Sequence, residues 1–179
     1  MKISTSRPSI VPGAVCADTT WRVDPGQSAA SFEASTLWGR VPVRGVLGPV
    51  SGELHLHEAT GHGRLAIATT GLSSGIGLRD HHLRSGVFFD IRRHPEITFF
   101  ASEVAIEPRG AHLSGELTVR GTPKPFSCAA TPTAVAEDRL VLETTTAFDL
   151  DELGMSRGLL RMIPASVRAN VRVLLYRLD

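Results

Sequence analysis

The sequence predicts an all-β fold: eight or so antiparallel strands, closed as a barrel or stacked as a sandwich. Three observations predict it. Apolar and polar residues alternate with a period of two through most of the chain. Gly, Pro and charged turn residues bound each alternating run. Helical signal is confined to two short places, 78–85 and 156–162, the second stopped near Pro164. A doubly wound α/β fold would lack its helices, and this many half-wet strands must close their edges or stack.

Taken in order, residues 1–19 read as a flexible leader rich in Ser, Pro, Thr and Gly, and one folded domain runs over 20–179, with alternation starting at Trp21. In 28–35, Ala30 and Phe32 share a face; in 50–57, Leu54 and Leu56 oppose Glu53, His55 and His57. Further strands are expected at 63–70, 96–106, 125–134 and 139–148. Between them Leu113, Gly115, Leu117 and Val119 share one face while Ser114, Glu116, Thr118 and Arg120 take the wet one. The clearest strand is the last, with Val167, Ala169, Val171, Val173 and Leu175 opposite Arg168, Asn170 and Arg172; only Leu174 blurs its end.

Composition narrows the function classes. At 42% hydrophobic and 21% charged residues, the 179-residue chain can bury a core of its own and is not of the disordered type. The net charge is +1 and the arginines are scattered, so no stripe tracks a phosphate backbone and nucleic acid is not an expected partner. No run reaches the ~18 apolar residues of a membrane-spanning helix. The polar residues Ser4, Thr5, Ser6, Arg7 and Ser9 break any apolar signal region, so a cytoplasmic location is expected. Cys16 and Cys128 have no metal-type spacing and are expected to be free thiols. No cofactor is expected.

The segment Gly77-Leu78-Arg79-Asp80-His81-His82-Leu83-Arg84-Ser85-Gly86-Val87-Phe88-Phe89-Asp90, followed by His94-Pro95-Glu96-Ile97-Thr98-Phe99, resembles the YceI-like family. That family shows an Arg-Asp-x-His-Leu element, a phenylalanine-rich turn and a Pro-x-Ile-Thr-Phe strand, and all three stand here in order. The likeness extends to Trp21-Arg22-Val23-Asp24-Pro25 and to Leu113 through Thr122, so it covers nearly all of 20–179. It departs at Leu150-Asp151-Glu152-Leu153-Gly154, where relatives often carry an Arg and an aromatic before the glycine. The resemblance implies an eight-stranded antiparallel, lipocalin-like β-barrel with one or two short helices. Its interior would hold a long-chain isoprenoid or acyl lipid: a polyisoprenoid, an isoprenoid quinone or a fatty-acid derivative.

The residues point the same way. Small inward candidates, Ala30, Ala34, Ala169 and Gly115, would leave space if they face one another across a closed barrel. The phenylalanines Phe32, Phe88, Phe89, Phe99, Phe100, Phe126 and Phe148 would then line a tunnel instead of filling a core. The expected ligand-binding set is Phe32, Leu54, Leu56, Leu65, Ile67, Arg79, Phe99, Leu117, Val119, Phe126, Phe148, Val171 and Val173. Arg79 has two readings: an ion pair with Asp80, beside apolar Leu78 and Leu83, that fastens a short helix, or a bidentate contact to a lipid head group.

Two chemistries compete. Gly71-Leu72-Ser73-Ser74-Gly75 matches a nucleophile elbow and would make the chain a serine hydrolase using Ser73 or Ser74, but an elbow needs a parallel sheet with flanking helices. A metal could gather His55, His57 and His62; the same parity puts His55 and His57 on the wet face, and adjacent His81 and His82 point apart if helical. The expected reading is therefore a binding protein with no catalytic and no metal-ligating residues. A structural barrel with a filled core is the third alternative. A homodimer through an open sheet edge is the assembly such a fold would support.

Overall fold

The computed structural model describes residues 18–36, 41–155 and 166–178. Ten strands and one helix follow in chain order: β1 Asp18–Val23, β2 Ala29–Thr36, β3 Val41–Val46, β4 Val50–His57, β5 Thr60–Ala68, α1 Gly77–Arg84, β6 Glu96–Glu107, β7 Gly110–Val119, β8 Thr122–Ala136, β9 Arg139–Asp149 and β10 Ser166–Leu178. The helix expected at 78–85 is α1; the one expected at 156–162 lies outside the described residues, as do 1–17 of the leader.

Every neighbouring pair is antiparallel. The circuit β1-β4-β5-β6-β7-β8-β9-β10 closes because β10 pairs back onto β1, which gives an eight-stranded barrel. Closure is achieved by dividing one long strand. The C-terminal part of β10 (Leu175–Leu178) faces β1, whereas Arg168–Arg172 faces β2. Between β1 and β2 the chain turns at Asp24, whose carboxylate accepts from the Gly26 amide at 2.9 Å. The Ser28 hydroxyl accepts from the Leu174 amide at 3.0 Å, so the break leaves that donor satisfied. Strand β3 then pairs with β2 and joins the loop after β5 through a bridge between Val46 and Ser73.

Sequence patterning did not anticipate β3. Its Pro42 reads against a strand interior, yet the strand sits at the margin of the ladder and Pro42 is exposed there. Arg120 also departs from expectation: it does not continue the wet face of β7 but occupies the β7–β8 turn, with φ 52° followed by Gly121 at 69°. Two consecutive left-handed residues make the type of tight turn whose twist matches the flanking strands.

Directly opposed charges mark the outer surface. Arg22 meets Glu53, Arg44 meets Glu33 and Arg172 meets Glu143, each across one ladder and largely in water. The opposite parity builds the interior, which forms two clusters. One end is packed around Trp21, Leu56, Ala111 and Leu140. Towards the other end lie Phe32, Leu72, Leu83, Phe88, Val119, Leu150 and Met155, many of them from α1 and the loops instead of from strands.

Candidate functional site: an apolar cavity under a fastened cap

An apolar cavity of about 310 Å³ runs inside the barrel between those clusters. Strand parity decides its walls. On β10 the inward set Val167, Ala169, Val171, Val173 and Leu175 all line it, and on β7 Leu113, Leu117 and Val119 do. Ala30, Ala34 and Ala169 are among the lining residues, so methyl groups stand where larger side chains would close the space.

Aromatic rings form one wall. Phe99 of β6 meets Phe126 of β8 edge-on, with centroids 5.5 Å apart, and Phe126 stacks on Phe148 of β9 at 5.4 Å. In register with Phe126, on the intervening strand, stands Gly115. A Cβ there would come within 2.0 Å of the Phe100 carbonyl oxygen, so the close passage of β6, with its bulge between Ala101 and Glu103, requires glycine.

Of the residues expected to line such a space, Phe32, Leu54, Leu65, Ile67, Arg79, Phe99, Leu117, Val119, Phe126, Phe148, Val171 and Val173 do so. Leu56 does not reach the cavity: it is 6% exposed within the packed cluster at the closed end. It shares a face with Leu54 but lies two residues further towards that end. Phe100 is corrected as well. At 53% exposed it points to solvent, because alternation places it opposite Phe99.

Sequence reasoning missed the contribution of the loops. Leu150, Leu153 and Met155 line the cavity from the segment after β9, as do Val43 and Leu47 from β3 and the turn after it. Spacing offered a weak cue at Leu150 and Leu153. Within a segment rich in turn residues, nothing in the pattern shows where the chain folds back.

The cap is α1 with the loop that follows it; Arg79, His82, Leu83, Phe88 and Phe89 face the cavity. Its fastening differs from the expected pair. Among the described residues no ion pair joins Arg79 to Asp80; the two meet through Ser74. Arg79 donates from Nε to the Ser74 hydroxyl and from Nη2 to the Ser74 carbonyl, both at 2.7 Å. The Asp80 carboxylate, 7% exposed, accepts from the Ser74 amide at 2.7 Å, from the Ser74 hydroxyl and from the Ser73 hydroxyl at 3.2 Å. These bonds, the Ser74 hydroxyl first, hold the Asp80 carboxyl below its ordinary value against the opposing effect of burial, and the Arg84 charge adds to the lowering. Leu78 is not part of this seat, since it is 85% exposed.

Two more arginines tie the cap down. Arg84 donates from Nε and Nη2 to the Leu72 carbonyl at 3.1 and 2.5 Å. Arg120, in the β7–β8 turn, donates to the Gly154 and Gly86 carbonyls at 2.6 and 3.0 Å, so one guanidinium links both loops at this end.

The rival chemistries find no geometry. Ser73 and Ser74 give their hydroxyls straight to the Asp80 carboxylate, and among the described residues no histidine hydrogen-bonds either, so the serine–imidazole pair of a hydrolase triad is not formed there. On the outer surface His55 stacks on His62 at 5.1 Å and His57 approaches Asp18 at 2.9 Å. Among the described residues no three potential ligands gather for a metal. Cys128 is a free thiol on the cavity wall, its pKa pushed up by burial; Cys16 lies outside the described residues. No helix among the described residues is long and apolar enough to cross a membrane.

Comparisons with known proteins agree on the fold. The chain is 16% identical to Burkholderia cenocepacia BcnA, with a TM-score of 0.76 over 85% of this chain and 98% of that one. A polyisoprenoid binding domain from Saccharophagus degradans gives 0.71 at 16% identity, over 87% of this chain and 97% of that one. Among curated sequences, the UPF0312 protein VPA0850 of Vibrio parahaemolyticus is 30% identical over 122 residues, which is 66% of this chain and 64% of that protein. The chain thus spans somewhat less than two thirds of that relative's length. The description of the YceI-like domain matches residues 21–175, and the chain belongs to the YceI-like family.

Proposed function

We propose that this barrel binds a long apolar lipid, a polyisoprenoid, isoprenoid quinone or fatty-acid derivative, in its interior for carriage, storage or sensing, without chemistry on the ligand. The observation that carries the reading is the cavity: about 310 Å³, enclosed by strands and walled almost wholly by apolar side chains. A space of this kind sits at the lower end of the ~300–1,000 Å³ range of small-molecule sites. Each methylene moved into it from water contributes ~0.8 kcal/mol, so affinity rises with chain length until the space is full. A polyisoprenoid binding domain among the fold neighbours supports the same class of ligand.

Phe32, Leu54, Leu65, Ile67, Phe99, Leu117, Val119, Phe126, Phe148, Val171 and Val173 would touch the chain, and Arg79 would hold the cap. Native mass spectrometry of the purified protein tests the reading: a retained lipid adds a discrete mass that organic solvent removes. Bare protein that also fails to take up prenyl or acyl chains would refute it. A cytoplasmic setting and a homodimer belong to the same proposal, checked by cell fractionation and by sedimentation.

A further inference from the structure

We infer that Lys124 makes a small cleft at the capped end the seat of an anionic headgroup, a phosphate or carboxylate, on the chain held in the barrel. The inference rests on the lipid-binding reading above and adds the ligand's charge.

The cleft has a volume of about 90 Å³, room for several waters or for the oxygens of one small anion. Leu117, Val119, Phe126, Phe148 and Leu153 line both it and the main cavity, so the two spaces lie back to back on the same side chains. Thr122, Lys124, Pro125 and Glu152 complete the lining of the cleft, so one ammonium and one carboxylate border a space of this small size.

Lys124 faces inward. The β7–β8 ladder runs unbroken from Val119 opposite Thr122 to Ala111 opposite Ala130. Parity therefore carries from Phe126, Cys128 and Ala130 on the cavity wall to Lys124, two residues before Phe126, while Pro123 and Pro125 are exposed and Pro125 borders the cleft at its rim. Its register partner is Leu117, itself on both walls. Apart from Lys2 the chain uses arginine for every other permanent cation, so the one lysine of the barrel is turned into its mouth.

This ammonium has no partner. Among the described residues it makes no hydrogen bond or ion pair, and Glu152 does not come within 4.0 Å of it. The arginines that fasten the cap are engaged elsewhere: Arg79 with Ser74, Arg84 with the Leu72 carbonyl and Arg120 with the Gly154 and Gly86 carbonyls. A half-buried ammonium beside phenyl rings is tolerable while water reaches it, and filling the barrel with an apolar chain removes some of that water. An anionic headgroup would supply the missing partner, with Lys124 acting as a point charge with three donors. Glu152 is exposed and therefore more strongly screened by water than the half-buried Lys124.

The test is a titration with matched chains: geranylgeranyl monophosphate against geranylgeraniol, and palmitate against hexadecanol, on wild type, Lys124→Met, Lys124→Arg and Glu152→Gln. Wild type should prefer the anion of each pair. Lys124→Met should lose roughly tenfold in affinity for the anions while binding the alcohols unchanged, which also shows that it is folded. Lys124→Arg should retain most of the preference, and Glu152→Gln should preserve or strengthen it. The phosphate and carboxylate arms tell which anion fits better. Equal binding of anion and alcohol by wild type, or an anionic preference untouched in Lys124→Met, overturns the headgroup seat and leaves lipid binding standing. A preference lost in Glu152→Gln overturns it too, because the preference would then depend on the carboxylate and not on the Lys124 charge. Failure of all four chains to bind wild type instead removes the lipid-binding reading on which the seat rests.

Discussion

The two ends of this barrel are built on different principles. At the closed end, strand side chains pack around Trp21, Leu56, Ala111 and Leu140, none of which lines the cavity. Towards the other end the inward set includes the small Ala34 and Ala169, and the gap is covered by a helix and loops held by polar fastenings on Ser74, Leu72, Gly86 and Gly154. Packing of the first kind is costly to disturb anywhere, because a close-packed interior cannot relax around a deletion. Hydrogen bonds from a few side chains to loop carbonyls can open and re-form without touching the strand ladder. The difference is one of construction: apolar packing holds the closed end, and hydrogen bonds hold the cap.

The largest effect should come from the closed end. Leu56→Ala deletes most of a side chain that does not reach the cavity, and should cost about 2–5 kcal/mol in denaturant unfolding while leaving affinity for a bound chain unchanged in the folded fraction. A large loss of affinity with little loss of stability would break the comparison by making Leu56 a ligand contact.

A smaller effect is expected at the cap. Asp80→Asn and Arg79→Ala each leave Ser74 groups without a charged partner, so both should lower the thermal midpoint more than they lower lipid affinity. For Asp80 the pH dependence has a definite sign. Its folded-state pKa lies below the ordinary 3.8, so its contribution is present above that value and is lost as pH falls through the folded value. Wild type should therefore lose this stability only in acid below about pH 4, and Asp80→Asn should show a shallower acid limb. Unchanged stability with abolished binding in Arg79→Ala would assign that guanidinium to the ligand instead.

The smallest stability effect should be inside the cavity. Phe99→Trp enlarges a ring that borders open space, so the protein should fold with a midpoint near that of wild type and bind long chains less well. A full interior would answer with strain of about 1–3 kcal/mol whether or not lipid is present.

How much of this could be read in advance follows the same division. Period-two alternation assigns β7 and β10 to faces residue by residue, since every inward side chain of Val167 through Leu175 reaches the cavity wall as parity requires. Parity carries no depth, and so Leu54 and Leu56 look alike although one lines the space and the other plugs the end. Loops have no period at all. The Arg-Asp element announced a short helix fastened by an Arg79–Asp80 ion pair, but the actual fastening runs through Ser74, in the loop that the Ser73–Val46 bridge ties to β3. Arg120 was legible only as a polar strand position, because its role comes from a turn that aims it at two carbonyls distant in sequence.

The central claim is that the space inside the barrel is a lipid site. The most direct measurement is a thermal melt of the wild-type protein with prenyl and acyl chains of increasing length, since a ligand that binds only the native state must raise the midpoint. The account predicts a rise that grows with chain length and then levels off when the cavity is full, and that is reduced in Phe99→Trp. No rise with any chain would contradict it.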